Sequence, residues 1–87
     1  MTLEEFIALR KHLGLTQAEM AHRMGLSTRS LNAIESGSTP LRTLHIRTAE
    51  RIAMIRAVVE NDPMLVPDEV RAQCTRIHQL ATGQRID

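Results

Sequence analysis

Three side chains in the middle of the sequence could recognise bases in DNA. Thr28, Arg29 and Asn32 lie just after a serine, among apolar residues at helical spacing. An arginine can donate two hydrogen bonds to guanine O6 and N7, and an asparagine can bond adenine N6 and N7. The threonine methyl group can contact the methyl group of thymine. On the exposed start of a helix, these residue types could therefore distinguish base pairs in the major groove.

Each of the three also has a plainer alternative. Arg29 has no acidic residue four positions later, and it could stay solvated or contact a phosphate. Asn32 could be solvated, and Thr28 could hydrogen-bond the backbone near the helix start. The residue types favour a base contact for Arg29 and leave Thr28 and Asn32 open.

No pattern of catalytic or metal-binding residues stands out. Glu19 and His22 share a helical face, but two ligands are too few for a closed metal site. The serines lie at predicted caps and turns without marked histidine or aspartate partners. Cys74 is the only cysteine, which excludes an intramolecular disulfide. We therefore expect no enzymatic activity, no metal and no cofactor.

Helix caps predict the elements that hold the three side chains. Thr16 and Glu19 have the spacing of a capping box, so a helix should begin at Gln17. Gly25 should end that helix, because glycine readily takes the left-handed conformation. The apolar positions expected to face a core are Ala18, Met20, Ala21, Met24, Leu26, Leu31 and Ile34.

The next helix should begin after Ser27, a favourable N-cap, and run from about Thr28 to Ser36. Two short helices joined by a tight turn, with polar side chains on the exposed start of the second, are typical of a DNA-binding helix-turn-helix.

The same stretch resembles a known family. The residues that carry the resemblance are Leu9-Arg10, 14–21 (Gly-Leu-Thr-Gln-Ala-Glu-Met-Ala), 24–27 (Met-Gly-Leu-Ser) and 34–37 (Ile-Glu-Ser-Gly). They are similar to the helix-turn-helix family of phage Cro and CI repressors and XRE-type bacterial regulators, over roughly residues 3–60. The resemblance implies an all-α, five-helix, lambda-repressor-like domain that binds specific sequences of double-stranded DNA.

The resemblance also implies roles for individual residues. Arg10 should pair with Glu35, and Gln17 should bond phosphate and brace a base-contacting side chain. The connection after Gly37 should follow the DNA backbone. The expected backbone contacts are Thr16, Gln17, Ser36, Ser38, Arg42 and Thr43, with Arg42 the strongest. Ala33 stands where some relatives carry a long polar residue, so the resemblance does not extend to a base contact there.

Three further helices complete the predicted fold: Leu3 to about Leu13, Thr43 to Glu60, and Pro67-Asp68 to about Ala81. The long helix has two apolar faces, one with residues 44, 52, 55, 58 and 59 and the other with residues 46, 49, 53 and 57. We expect residues 1–62 to form the DNA-binding domain, with the motif at 16–37. Residues 63–87 should add a dimerisation helix and a frayed tail to the same compact domain.

A homodimer is expected because one recognition helix contacts only a few base pairs. Two-fold dimers bind half-sites roughly 34–36 Å apart. The apolar residues of the last two helices should supply the interface, and the candidates are Ile52, Ile55, Val59, Val70, Cys74 and Ile77. An inverted repeat of DNA would be the matching operator.

Composition agrees with a small regulator. The chain has 87 residues and a formal charge of +1, with six basic against four acidic residues in 1–47 and five against six in 48–87. The sequence has no apolar run long enough for a signal peptide or a membrane span, so we expect a cytoplasmic protein.

The expected function is an autoregulating repressor: a phage repressor, an antitoxin or a regulator encoded beside anti-CRISPR genes. The alternative is an antitoxin or adaptor whose main role is to bind a partner protein such as a toxin.

Overall fold

The computed structural model describes residues 1–83 and contains five α-helices in that range. The helices are α1 (Leu3–His12), α2 (Gln17–Met24), α3 (Thr28–Glu35), α4 (Thr43–Glu60) and α5 (Asp68–Thr82), and a 3-10 turn at Pro63–Leu65 joins the last two. The described range contains no strand, so the predicted all-α, five-helix class is confirmed. The predicted frayed tail, 84–87, lies outside the described residues.

Reciprocal side-chain caps begin the first two helices. The Thr2 hydroxyl oxygen accepts the Glu5 amide at 3.1 Å, and the Glu5 carboxylate accepts the Thr2 amide at 2.9 Å. Thr16 and Glu19 form the same pair of bonds at the start of α2, both at 3.1 Å. The predicted starts of α1 and α2 are therefore confirmed, and the predicted ends of the helices agree to within one residue.

The turn between α2 and α3 depends on a left-handed glycine. Gly25 has φ 74° and ends α2, and the following amide, Leu26 N, donates to Ala21 O at 2.8 Å. The hydroxyl oxygen of Ser27 then accepts the Ser30 amide at 3.0 Å and caps α3. This short connection fixes the direction in which α3 leaves α2.

One apolar core holds α1 to α4 together. Its buried members are Phe6, Leu9, Leu13, Leu15, Met20, Ala21, Leu31, Ile34, Ala49, Ile52 and Ala53. The prediction for Ala18 is wrong, because Ala18 is exposed. Met24 and Leu26 are partly buried against the core.

The two apolar faces of α4 have different surroundings. Ala49 and Ala53 pack in the main core, and Ala57 packs in a smaller cluster with Val66 and Val70. Leu44, Ile55, Val58 and Val59 are 74%, 50%, 78% and 67% exposed. Ile52 was predicted to lie on the same face as Ile55, but it is buried in the main core. Residues three positions apart on an α-helix differ by roughly 60° around the helix axis, so Ile52 lies at the edge of that face, where α4 meets the core.

Arg56 holds α4 against the end of α1, and His12 and Arg71 hold the segment after α4. The Arg56 guanidinium donates to Leu13 O at 3.1 Å, and a His12 ring nitrogen contacts Met64 O at 3.0 Å. The Arg71 guanidinium donates to Val66 O at 2.8 Å. The beginning of α5 is therefore held in place by the loop that precedes it.

Candidate nucleic-acid interface

The three predicted base-contacting side chains lie on one exposed surface. Thr28, Arg29 and Asn32 are exposed and line a shallow depression of about 450 Å³. Ala33, Ser36 and Ser38 complete its lining. The structure therefore brings three candidate base contacts together with two of the candidate backbone contacts.

The donors on this surface are not used inside the protein. Among residues 1–83, no side-chain hydrogen bond or ion pair involves Thr28, Arg29 or Asn32. Their side chains extend from the first turns of α3, which the Ser27 cap and the buried Leu31 and Ile34 hold in position. A rigid helix thus presents unpaired donors to the exterior, which is the arrangement that major-groove contacts require.

The far edge of the depression is ordered by local hydrogen bonds. The Ser36 hydroxyl donates to Ala33 O at 3.2 Å and lies 3.0 Å from the Ser38 hydroxyl. The Thr39 amide also donates to Ala33 O, at 3.0 Å. These bonds fix two hydroxyl groups just beyond the end of α3.

Arg10 and Glu35 form a bidentate ion pair beneath α3. The Arg10 Nε and Nη2 atoms lie 2.7 and 2.9 Å from the two Glu35 carboxylate oxygens, and Nη1 donates to Leu15 O at 3.0 Å. The two side chains are 11% and 6% exposed. Two parallel bonds from a guanidinium restrict geometry more strongly than a single contact, so this pair fixes the end of α3 against α1.

Gln17 joins the same ion pair from α2. Its side-chain amide nitrogen donates to Glu35 Oε1 at 3.0 Å. Burial raises the pKa of Glu35, but the hydrogen bonds from Arg10 and Gln17 and the Arg10 charge outweigh burial and leave that pKa below its usual value. The carboxylate is therefore charged near neutral pH and links three helices. No sequence pattern signals this contact, since the two residues lie 18 positions apart.

The remaining candidate backbone contacts lie at helix N-termini. Thr16 caps α2, while Arg42 and Thr43 stand at the start of α4, where the Arg42 amide donates to the His45 Nδ1 atom at 3.0 Å. All three residues are exposed, and none of them lines the depression on α3. Helix N-termini attract phosphate through their free amides and dipole, so the contacts of these residues with the DNA backbone stay a prediction that their positions allow.

The predicted dimer residues separate into two groups. Ile52 and Val70 are 7% and 9% exposed, so the chain's own core covers them and they offer almost no surface to a partner. Ile55, Val59 and Ile77 are at least half exposed, and Cys74 is half-buried.

Three exposed apolar residues of α4 and α5 were not among the residues named as candidates for the dimer interface. They are Leu44, Val58 and Leu80, at 74%, 78% and 66% exposure. Helical spacing had already placed the first two on one side of α4 with Ile55, and all three of these residues are exposed.

Residues 1–83 contain neither a candidate metal cluster nor a helix that could span a membrane. No group of three or more histidine, cysteine, aspartate or glutamate side chains that could hold a metal ion occurs in this range. Within the same residues, no helix combines the length and the apolar character needed to cross a membrane.

Comparison with protein families identifies the chain. A model of the helix-turn-helix family HTH_3 matches residues 7–54, more than half of the sequence. The chain belongs to this XRE-type, Cro/CI helix-turn-helix family. Searches of the curated proteins and of the solved structures each gave no significant match. The matched residues run from within α1 to within α4 and include the whole depression on α3.

Membership of the helix-turn-helix family gives the general function. The protein is a DNA-binding transcription regulator, and its fold is consistent with the lambda-repressor type. The family is a regulatory one and is not typically enzymatic. In this helix-turn-helix protein α3 occupies the position of the recognition helix, the second helix of the motif.

Proposed function

We propose that this helix-turn-helix protein is a homodimeric autorepressor that binds an inverted repeat through the major groove. The observation that carries the proposal is the exposed surface of α3, where Thr28, Arg29 and Asn32 have no partner among the described residues. Arg29 contacts guanine, and Asn32 contacts adenine. Thr28 contacts a thymine methyl group or the adjoining backbone.

Backbone contacts orient the recognition helix. Gln17 and Arg42 bond phosphates on either side of α3, with Thr16, Ser36, Ser38 and Thr43 as additional donors. The Gln17 amide is already held by Glu35, so the cost in side-chain entropy of ordering it on DNA is reduced. Such contacts set the register of the protein on the duplex but carry no sequence information.

A homodimer supplies the second recognition helix. Ile55, Val59 and Ile77 lie on the exposed surface of α4 and α5, away from the depression on α3. Both dimer formation and two-site DNA binding increase with protein concentration, so a protein that blocks its own promoter limits its own synthesis.

The decisive experiment is footprinting on the DNA upstream of the protein's own gene at two salt concentrations. Arg29→Ala is compared with Arg51→Ala, which removes another exposed arginine, from α4 outside the α3 depression. Loss of a bidentate guanine contact costs about 1–3 kcal/mol, or roughly five- to 150-fold in affinity. We expect this loss for Arg29→Ala together with weaker base preference, and a much smaller change for Arg51→Ala.

The pattern of protection tests the rest of the proposal. An autorepressor dimer gives a two-fold symmetric footprint that weakens as salt rises. Equal effects of the two substitutions would contradict base contact by Arg29. Protection of a single half-site at saturating protein would contradict the dimer.

A second candidate function is an antitoxin or adaptor whose main role is to bind a partner protein. The observation that favours it is the exposed apolar surface of α4 and α5, including Val58 at 78% and Leu80 at 66%. Replacing Thr28, Arg29 and Asn32 together by alanine separates the two functions. A repressor loses its regulatory activity, whereas an adaptor keeps its partner binding.

A further inference from the structure

A histidine ring caps the start of α4. The Nδ1 atom of His45 accepts the backbone amide of Arg42 at 3.0 Å. Arg42 is the N-cap residue of the helix, and its side chain makes no capping bond, because a guanidinium has no acceptor atom. His45 stands at the position from which a glutamate or glutamine reaches back in a capping box. The first turn of α4 therefore depends on the ring for its side-chain cap.

The direction of this bond fixes the protonation state of the ring. A backbone amide can only donate, so His45 Nδ1 carries no hydrogen, and the neutral ring holds its hydrogen on Nε2. A protonated ring carries hydrogens on both nitrogens and cannot accept the Arg42 amide. Histidine is the side chain that ordinarily gains a proton between about pH 5 and 8. Mild acid that protonates His45 therefore removes the cap.

His12 forms a bond of the opposite polarity. Its Nε2 atom lies 3.0 Å from Met64 O. A carbonyl oxygen can only accept, so Nε2 donates, and the bond persists when the ring is protonated. The two histidines therefore respond differently to acid, although each bonds a backbone atom.

The ring of His45 has no charged partner. Among residues 1–83, no charged or titratable side chain of α1, α2, α3 or α5 forms a hydrogen bond or an ion pair with it. The charged residues close to it along α4 are Arg42, Arg47 and Glu50, and the last two pair with each other at 2.8 Å. Glu69 on α5 places its charge near Arg47. The Arg42 amide is thus the only hydrogen-bond partner of the ring within the described residues.

The cap holds a residue that is a candidate contact to the DNA backbone. Arg42 is exposed, and its guanidinium has no partner in the part of the chain that the structure describes. Its amide is bonded to the His45 ring, and its carbonyl accepts the His45 and Ile46 amides at 3.0 and 3.2 Å. A fixed backbone limits the directions that a side chain can take, which reduces the entropy lost when the guanidinium binds phosphate.

We propose that His45 is a positioning residue for DNA binding: its neutral ring holds Arg42 in place to bind a phosphate and releases Arg42 when the ring is protonated. The inference rests on the proposed phosphate contact of Arg42 and adds a dependence on pH to it. A protonated ring also adds a positive charge, but salt screens that charge, whereas loss of the cap changes the backbone of the phosphate-binding residue itself. DNA affinity therefore falls in acid.

The test measures the affinity of the full chain for a mixed-sequence DNA duplex at about pH 8 and about pH 5.5. Phosphate contacts carry no sequence information, so this probe reports on them without the operator. His45→Gln keeps an acceptor at the capping-box position that acid does not protonate, and His45→Ala removes the acceptor. His12→Gln is the matched control, because it removes a histidine whose ring donates its bond. Circular dichroism checks that each variant is folded at both pH values.

We expect the affinity of wild type to fall about three- to tenfold more than that of His45→Gln between about pH 8 and about pH 5.5, which is the effect of one lost hydrogen bond. His12→Gln should keep the wild-type fall, and His45→Ala should bind weakly at both pH values. The other histidines are present in both wild type and His45→Gln, so their protonation cancels from the comparison. Equal falls in these two proteins would overturn the inference. Tighter binding by wild type than by His45→Gln in acid would also overturn it, since the ring would then act through its charge.

Two further measurements test the route through Arg42. In the Arg42→Ala background, the difference between His45 and His45→Gln should disappear, because coupled residues give non-additive effects. A difference that persists in this background would contradict a positioning role. Nitrogen-15 spectra of the imidazole test the cap without DNA. We expect the hydrogen on Nε2 in the neutral ring of His45, and a hydrogen on Nδ1 would overturn the inference.

Failure of this inference is distinguishable from failure of the proposed function. A wild type that binds neither the mixed-sequence duplex nor the DNA upstream of its gene contradicts both. Wild-type affinity in Arg42→Ala contradicts the phosphate contact and with it the role of His45, but leaves base contact by Arg29 untouched. Specific binding that depends on Arg29 and Arg42 but is unchanged in His45→Ala overturns only the inference.

Discussion

At the scale of single residues, Glu35 connects the core to the DNA-binding surface. It receives hydrogen bonds from Arg10 on α1 and from Gln17 on α2 while it ends α3. Gln17 is also a candidate phosphate contact. The proposed phosphate contact of Gln17 and the orientation of α3 would therefore be connected through one carboxylate, whose side chain is 6% exposed.

The Arg10–Glu35 pair gives a stability prediction. Arg10→Met leaves a largely buried carboxylate without its main partner, which should lower the free energy of unfolding by about 3–5 kcal/mol near neutral pH. Urea denaturation measures this value. The control is Arg47→Met, because Arg47 is 68% exposed in its pair with Glu50, and breaking it should cost about 0–1 kcal/mol.

The Arg10–Glu35 pair also determines how the difference in the free energy of unfolding between wild type and Arg10→Met depends on pH. The pKa of Glu35 in the folded protein is below its ordinary value of 4.5, so the stabilisation is complete above about 4.5 and is lost as pH falls through the folded pKa. The difference between wild type and Arg10→Met should therefore shrink in acid. A difference that stays constant from pH 7 to pH 3 would contradict the assigned role of the charge.

At the scale of elements, the turn of the motif gives a second stability prediction. Gly25 has φ 74°, and a Cβ added there would meet no heavy atom within 4 Å. The cost of Gly25→Ala is therefore conformational, about 1–2 kcal/mol, and should appear in urea denaturation. Gly83→Ala is the comparison: Gly83 has φ 72° and equally open surroundings, so the same conformational cost should appear there. No loss in Gly25→Ala would contradict the conformational origin of the cost.

In α4, the local sequence predicts the ends of the helix but not the burial of every residue in it. Its bounds, Thr43–Glu60, follow from the proline before it and from the Asn61-Asp62-Pro63 break after it, as predicted. The sequence also predicted that α4 has two apolar faces. It placed Ile52 on the wrong face, because packing against the neighbouring helices decides whether a residue at the border of two faces is buried.

At the scale of the whole molecule, dimer formation should make thermal stability depend on concentration. Folded dimers are favoured by mass action, so a tenfold increase in protein should raise the melting temperature by about 3–5 °C. Differential scanning calorimetry at two concentrations measures the shift. Ile77→Lys, which changes an exposed residue of the proposed interface, should abolish the shift. A wild-type melting temperature independent of concentration would contradict a dimer in this range.

The sequence by itself determined the helices, the motif turn and the exposure of Thr28, Arg29 and Asn32 on α3. Caps such as Thr16 with Glu19, and the Gly25 turn, act between residues at most a few positions apart, so their effect is visible in a single chain. Only the tertiary structure decided that Gln17 reaches Glu35, that Ile52 and Val70 are buried, and that Ile77 is left exposed. These outcomes depend on how helices far apart in sequence dock, because burial and long-range hydrogen bonds are set by packing rather than by local conformational preference.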